Sequence, residues 1–195
     1  MSWNDHIQHV CNKISKACGA LTKLRHYVPI QILIDVFNAL IHSYLRYGIL
    51  VWGSASTSNI QSLSTLVNKA IRIISFAPHG NLHISQLYKD LNLLNLQSIF
   101  KLELGKFLYK EKHSLLPTKI GNYFELSSNF VEHRHNTRVS VTSQTLNLVV
   151  RLKSSEKAVQ FRGNKLWNSI SHDLRSQESY KIFKRKFKKQ LISEL

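Results

Sequence analysis

The residues best suited to chemistry in this chain are cations. Lys13, Lys16 and Lys23 fall on one segment and Lys69 and Arg72 on another. Lys181, Lys184, Arg185, Lys186, Lys188 and Lys189 crowd together near the C-terminus. Ammonium and guanidinium groups at helical spacing can follow a phosphate backbone. Each phosphate they neutralise releases condensed counterions, so binding is strong at low salt and weak at high salt. The chain holds 27 Lys and Arg against 11 acids, a formal charge of +16, so its surface attracts polyanions: nucleic acid or an anionic membrane. A lysine stripe is also the ordinary solvated face of a helix. The size of the excess tips the reading toward nucleic acid. The candidate phosphate-binding residues are therefore Lys13, Lys16, Lys23, Lys69, Arg72, Lys184, Arg185, Lys188 and Lys189. The C-terminal group has two further readings, a basic helix lying on a membrane or a nuclear-localisation-like patch. Its narrow aromatic face, Tyr180, Phe183, Phe187 and Leu191, favours docking on the domain with the cations turned to phosphate.

Other chemistries find little support. His6, His9, Cys11 and Cys18 resemble a metal-ligand set on paper. At about 100° per residue the two cysteines fall on an apolar stripe and the two histidines nearly opposite, so one helix cannot aim both pairs at one ion. The cysteines, seven residues apart, are about 10 Å apart on a helix, too far for a disulfide. His133 and His135 flank Arg134 with no cysteine near and read as polar surface. A polymerase needs clustered carboxylates to hold two metal ions, and no Asp-Asp pair or acid-x-acid cluster occurs; Asp90 and Asp173 stand alone. Gly-rich phosphate loops, Gly-x-Ser-x-Gly and His-Glu-x-x-His are absent as well. No catalytic residue, metal or cofactor is expected.

The elements that must position these cations are mainly α-helical. Ile7, Val10, Ile14, Ala17, Cys18, Leu21 and Leu24 recur at helical spacing, predicting a helix over about 3–26 that starts from a capping-box-like Ser2 and Asp5. Pro29 suits the first turn of a second helix, whose buried face is expected to be Leu33, Val36, Phe37, Leu40, Ile41, Tyr44 and Leu45. Gly48 and Gly53 bracket an apolar stretch, and Ser54–Ser58 is a loop. A third helix runs over about 59–76, with Ile60, Leu63, Leu66, Val67, Ala70, Ile71 and Ile74 inward and Thr65, Asn68, Lys69 and Arg72 outward. Shorter helical patterns cover Ile84–Asp90 and Leu96–Lys112. Ser127–Gln160 is rich in Ser, Thr and β-branched runs (Val139–Thr142, Leu146–Leu152, Ala158–Phe161) and reads as short strands or irregular chain. Ser179–Leu195 is helical again. The expected fold is mainly α: a helical bundle over 1–76, a helical extension over 77–124, and a mixed region over 125–195 with short strands and a basic C-terminal helix. No apolar run approaches the roughly 20 residues of a spanning helix, and Met1–Asp5 is no signal peptide. An intracellular chain, cytoplasmic or nuclear, is expected; the oligomeric state is left open.

Blocks spread over nearly the whole chain carry a family resemblance. Ser2-Trp3-Asn4-Asp5-His6-Ile7, Lys13-Ile14-Ser15-Lys16-Ala17-Cys18-Gly19 and Leu24-Arg25-His26-Tyr27-Val28-Pro29 come first. Leu40-Ile41-His42-Ser43-Tyr44-Leu45-Arg46-Tyr47-Gly48 with Val51-Trp52-Gly53 is the most specific, and Lys69-Ala70-Ile71-Arg72-Ile73-Ile74 follows. Downstream lie Leu87-Tyr88-Lys89-Asp90-Leu91-Asn92, Phe107-Leu108-Tyr109-Lys110, His135-Asn136-Thr137-Arg138, Gly163-Asn164-Lys165-Leu166-Trp167-Asn168-Ser169 and Phe183-Lys184-Arg185-Lys186-Phe187-Lys188. In order and spacing they resemble the C-terminal part of the reverse transcriptase of jockey-like, LINE-type non-LTR retrotransposons. The match departs at Ser171, where that family usually has proline.

The resemblance implies a helical polymerase thumb over roughly 1–76, gripping an RNA or RNA/DNA template–primer duplex, followed by the post-thumb region. In such enzymes the catalytic palm precedes the thumb, so no catalytic residue carries over. The chain alone is expected to be inactive as an RNA-directed DNA polymerase, with the palm portion of the parent enzyme as a further possible partner. The alternative is a stand-alone basic nucleic-acid-binding or interaction protein derived from such an element.

Overall fold

The computed structural model describes residues 3–77, 83–117 and 159–195. Every element among them is helical and none is a strand, so the chain is mainly α. It divides into two compact units, Met1–Phe100 with Lys189–Leu195, and Lys101–Lys188.

In the first unit α1 spans Asn4–Leu24, and Ile7, Val10, Cys11, Ile14, Ala17, Cys18 and Leu21 form its buried stripe. Its start differs from the expectation. Trp3 holds the N-cap position without a side-chain cap bond, and its ring packs edge-on against His6 at 6.2 Å. The second apolar segment comprises α2 (Ile30–Phe37), a π-helical turn (Asn38–His42), α3 (Ser43–Arg46) and α4 (Ile49–Trp52). A long helix, α5 (Thr57–Ile74), follows, then α6 (Ile84–Asp90).

The π turn has a cause legible in the buried residues. Leu33, Phe37, Ile41, Leu45 and Ile49 are all buried, at a strict spacing of four. An α-helix holds 3.6 residues per turn, so a four-residue seam drifts by about 120° over twelve residues. One extra residue, taken up in wider i→i+5 turns, rewinds most of that drift. It keeps Leu33 through Leu45 on one line. After Arg46 the chain extends at Tyr47 and reverses at Gly48, which sits at φ 59°, so that α4 can return Ile49 and Trp52 to the core. Trp52 Nε1 donates to the Tyr47 carbonyl at 2.7 Å, tying the bend shut. The same rewinding corrects two core assignments. Leu40 and Tyr44 were expected inward, yet they are 42% and 37% exposed, because the seam beside theirs is the one held on the core.

In the second unit α7 (Leu96–Lys112, its first turns in the first unit) is joined by α8 (Val159–Ser169), α9 (His172–Arg175) and α10 (Tyr180–Ser193). An aromatic column packs its centre. Tyr109 stacks on Phe183 at 4.6 Å, Phe183 on Phe187 at 5.5 Å, and Trp167 tilts against Phe183 at 6.3 Å. The Tyr109 hydroxyl donates to the Gln177 carbonyl. Lys106, buried, is paired with Glu103 one turn back at 2.6 Å.

The expected strands at Val139–Thr142 and Leu146–Leu152 lie outside the described residues. The third, Ala158–Phe161, is corrected: from Val159 the chain is the first turn of α8. Ala158-Val159-Gln160-Phe161, with three apolar residues and Gln160 between them, is too short to tell strand from helix. What decides it is the continuation, since Gly163, Asn164, Trp167 and Ile170 are buried at three- and four-residue spacing.

Candidate nucleic-acid interface

Two contacts report the direction in which α1 and α5 pack. Asn59 Nδ2, at the start of α5, donates to Asn4 Oδ1 at the start of α1. Arg25, just past the end of α1, lays its guanidinium carbon 4.3 Å from the centroid of the Phe76 ring, just past the end of α5. The helices therefore run parallel, and both C-termini emerge at one end. Between them Cys18 Sγ reaches the Leu66 carbonyl at 3.8 Å.

The cations sit on the outside of this pair. Lys13, Lys16 and Lys23 are exposed on the side of α1 turned away from its buried stripe. Lys16 and Lys23, seven residues apart, point within about 20° of each other and are about 10 Å apart along the axis. Lys13 diverges from Lys16 by about 60°. Lys69 is exposed on α5, close enough to Cys18 for its charge to act against the upward push that burial gives that thiol. Arg72 is half-buried one turn further on. Helices α1 and α5 thus bring Lys16, Lys23, Lys69 and Arg72 onto one parallel scaffold, with Lys13 on its flank.

The second basic group is carried by α10. Lys184, Arg185 and Lys189 are exposed and Lys188 is half-buried, while Phe183, Phe187 and Leu191 are buried as expected of a docked helix. Lys188 shows the crowding directly: burial, and after it the charge of Lys184 one turn away, lowers its pKa below the ordinary lysine value. A bound anion would relieve that strain, because it stabilises the charged form. Among the described residues no carboxylate lies within ion-pair distance of any of the candidate cations; the ion pairs found there join Lys106 to Glu103 and Lys112 to Glu111.

The remaining candidates find no shared site. Cys11 and Cys18 are buried free thiols, both with pKa raised by burial, which keeps them protonated and unreactive. His6 lies between Trp3 and Trp52, 5.8 Å from the latter ring. Among the described residues no group of three or more His, Cys, Asp or Glu could hold a metal ion. His133 and His135 lie outside the described residues. Asp90 is exposed and accepts from Gln86 at 2.7 Å, and Asp173 is exposed on α9. No helix among the described residues is long and apolar enough to cross a membrane.

Sequence reasoning passed over the residues that join the two helix ends. Arg25 and His26 belong to a family block and Phe76 to a helix terminus; only the parallel packing brings them together. It also passed over Arg175, buried to nine-tenths with Nε and Nη1 lacking an acceptor. Comparison with family models, curated proteins and solved structures returns no significant match.

Proposed function

We propose that this chain binds nucleic acid through its phosphates, as the thumb and post-thumb region of a non-LTR retrotransposon reverse transcriptase. The reading rests on one observation above the others. Exposed cations line the outside of the parallel α1–α5 pair, and no carboxylate among the described residues neutralises them. Unneutralised cations on a rigid scaffold, in a chain of net charge +16, are what a polyphosphate backbone requires. Contacts of this kind position a duplex without reading its sequence. The ordered family blocks, from Ser2-Trp3-Asn4-Asp5 to Phe183-Lys184-Arg185-Lys186, supply the rest of the reading: the partner is a template–primer duplex, and the polymerase carboxylates belong to a palm outside these 195 residues. A stand-alone nucleic-acid-binding protein derived from such an element would use the same surface.

Salt titration of duplex binding by fluorescence anisotropy tests it, with wild type beside a Lys13→Gln, Lys16→Gln, Lys23→Gln variant. Glutamine keeps helix propensity close to that of lysine, so α1 stays formed. Log affinity should fall with log salt, and the variant's slope should be shallower by about 0.9 for each phosphate it no longer neutralises. Coincident slopes would show that the α1 face is only solvated surface. No binding at low salt by either protein would reject the nucleic-acid reading altogether.

A further inference from the structure

The end where α1 and α5 finish together carries an unusual residue set. α5 closes with paired turn bonds: the Ala77 N–H reaches the Arg72 carbonyl at 3.2 Å and the Phe76 N–H reaches the Ile73 carbonyl at 3.4 Å. This closure needs a left-handed residue at Phe76, whose φ is 53°. α6 and α7 end the same way, but with Asn92 and Ser114 in the left-handed position. Glycine or asparagine is the usual choice, and an aromatic residue there is sterically costly. Backbone outliers of this kind cluster where function holds them.

The ring so placed is not sunk in the core. Phe76 remains 47% exposed, with Arg25 over it and His26 edge-on at 6.3 Å. Tyr27, beside them in sequence, is 86% exposed. Lys23 lies in the last turn of α1 and Arg72 in the last turn of α5. Cations at two helix C-termini are accounted for by the helix dipoles. The dipoles do not account for two exposed aromatic residues just past these helix ends, Tyr27 and Phe76, nor for a phenylalanine held left-handed. Aromatic faces interleaved with unneutralised cations are the recognition chemistry of an unpaired nucleic-acid strand, whose bases stack while its phosphates are held by charge.

We propose that the joined ends of α1 and α5 form a stacking platform for unpaired bases, next to the duplex-binding face. Tyr27 and Phe76 supply the stacking faces, and Lys23, Arg25 and Arg72 supply the phosphate attraction. The proposal rests on the nucleic-acid reading above and deepens it: the ligand is a duplex carrying a single-stranded extension, or a single strand alone. The ring faces accept bases of DNA and RNA alike.

The test compares labelled single strands of about 12 nucleotides, one DNA and one RNA, with an abasic DNA strand of equal length and a blunt duplex, all by fluorescence anisotropy. The proteins are wild type, Tyr27→Ala and Phe76→Gly; glycine suits the left-handed position, so the α5 terminus is kept. Wild type should bind a base-bearing strand tighter than the abasic one, by about fivefold to 150-fold for each base stacked. Each variant should lose that preference while its duplex affinity and salt slope stay at the wild-type values. Loss of the preference for base-bearing over abasic DNA supports the platform, and a parallel fall in the variants' affinity for the RNA strand extends it to RNA. Equal wild-type affinity for abasic and base-bearing strands would overturn the platform without recourse to any variant, and so would variants that keep the preference. Either outcome leaves duplex binding standing. Failure of wild type to bind any of the four ligands at low salt would instead overturn the nucleic-acid reading along with it.

Discussion

Two glycines in the middle of helices should answer the same substitution with opposite signs. Gly19 lies on the exposed side of α1, and a Cβ built there meets nothing within 4 Å. Alanine should stabilise the helix there by about 1 kcal/mol, through backbone entropy and propensity alone. Gly105 lies on α7, where a Cβ would meet Phe187 Cε1 at 2.4 Å, Cδ1 at 3.1 Å and Cζ at 3.3 Å. That ring cannot step aside, because it is 1% exposed and stacked on Phe183, which is itself stacked on Tyr109. Forcing a methyl into such packing costs about 1–3 kcal/mol. So deep an overlap with a fixed ring puts Gly105→Ala at the upper end of that range, and the propensity gain of about 1 kcal/mol offsets part of it. The net expectation is a loss of about 2 kcal/mol. Thermal melting followed by helical circular dichroism reads both variants, at about 2–4 °C per kcal/mol for a chain of this size. Gly19→Ala should melt higher than wild type and Gly105→Ala lower. In a Phe187→Leu background the Gly105→Ala penalty should shrink or reverse, which a double-mutant cycle isolates. Melting of Gly105→Ala at or above the wild-type temperature would refute the close approach of α7 and α10.

Two further outcomes follow from single side chains. Trp52→Phe removes the bond from Nε1 to the Tyr47 carbonyl while keeping a buried ring, so it should cost about 1–3 kcal/mol, including the orphaned carbonyl, in a chemical denaturation curve. Lys188 has a lowered pKa in the folded chain, so between that value and the ordinary 10.5 the unfolded chain binds more protons and stability should rise with pH. The effect is fully present above 10.5 and is lost as pH falls through the folded pKa. Lys188→Gln should abolish this part of the rise in a series of melts at different pH.

The helices were legible because their apolar residues recur at helical spacing with little to contradict them. Ile84–Asp90 and Leu96–Lys112 form over the expected spans, and Phe183, Phe187 and Leu191 are buried on α10. Leu40 and Tyr44 were misplaced for a definite reason. Projected on an ideal helix, Val36, Leu40 and Tyr44 sit as well on the apolar side as Leu33, Phe37 and Ile41 do, and only one of the two seams can face the core. The π turn settles the choice, and nothing in residues 38–42 announces it: Asn, Ala, Leu, Ile and His are ordinary helix residues. The expectation of a strand before Gly163 fails because Ala158–Phe161, apolar but for Gln160, lacks the length to show a period.

The cations were legible as residues and not as an arrangement. Composition marks Lys13, Lys16, Lys23, Lys69 and Arg72 as candidate phosphate ligands, but composition is blind to direction. An antiparallel α1–α5 pair would have put Lys23 and Arg72 at opposite ends, and Arg25 far from Phe76. The long connection through α2, α3 and α4 makes the parallel pairing possible, since a direct hairpin between α1 and α5 would have reversed it. That connection in turn depends on the reversal at Gly48 and on Trp52 closing it. Substitutions at this bend should therefore disturb the basic surface without touching a cation. A glycine-to-alanine change at Gly48, at φ 59°, strains the backbone by about 1–2 kcal/mol, and any register error it introduces is passed on to α5, which carries Lys69 and Arg72. The positive charge and the apolar bend that sets where it is displayed are separate features of the sequence, and only the folded chain couples them.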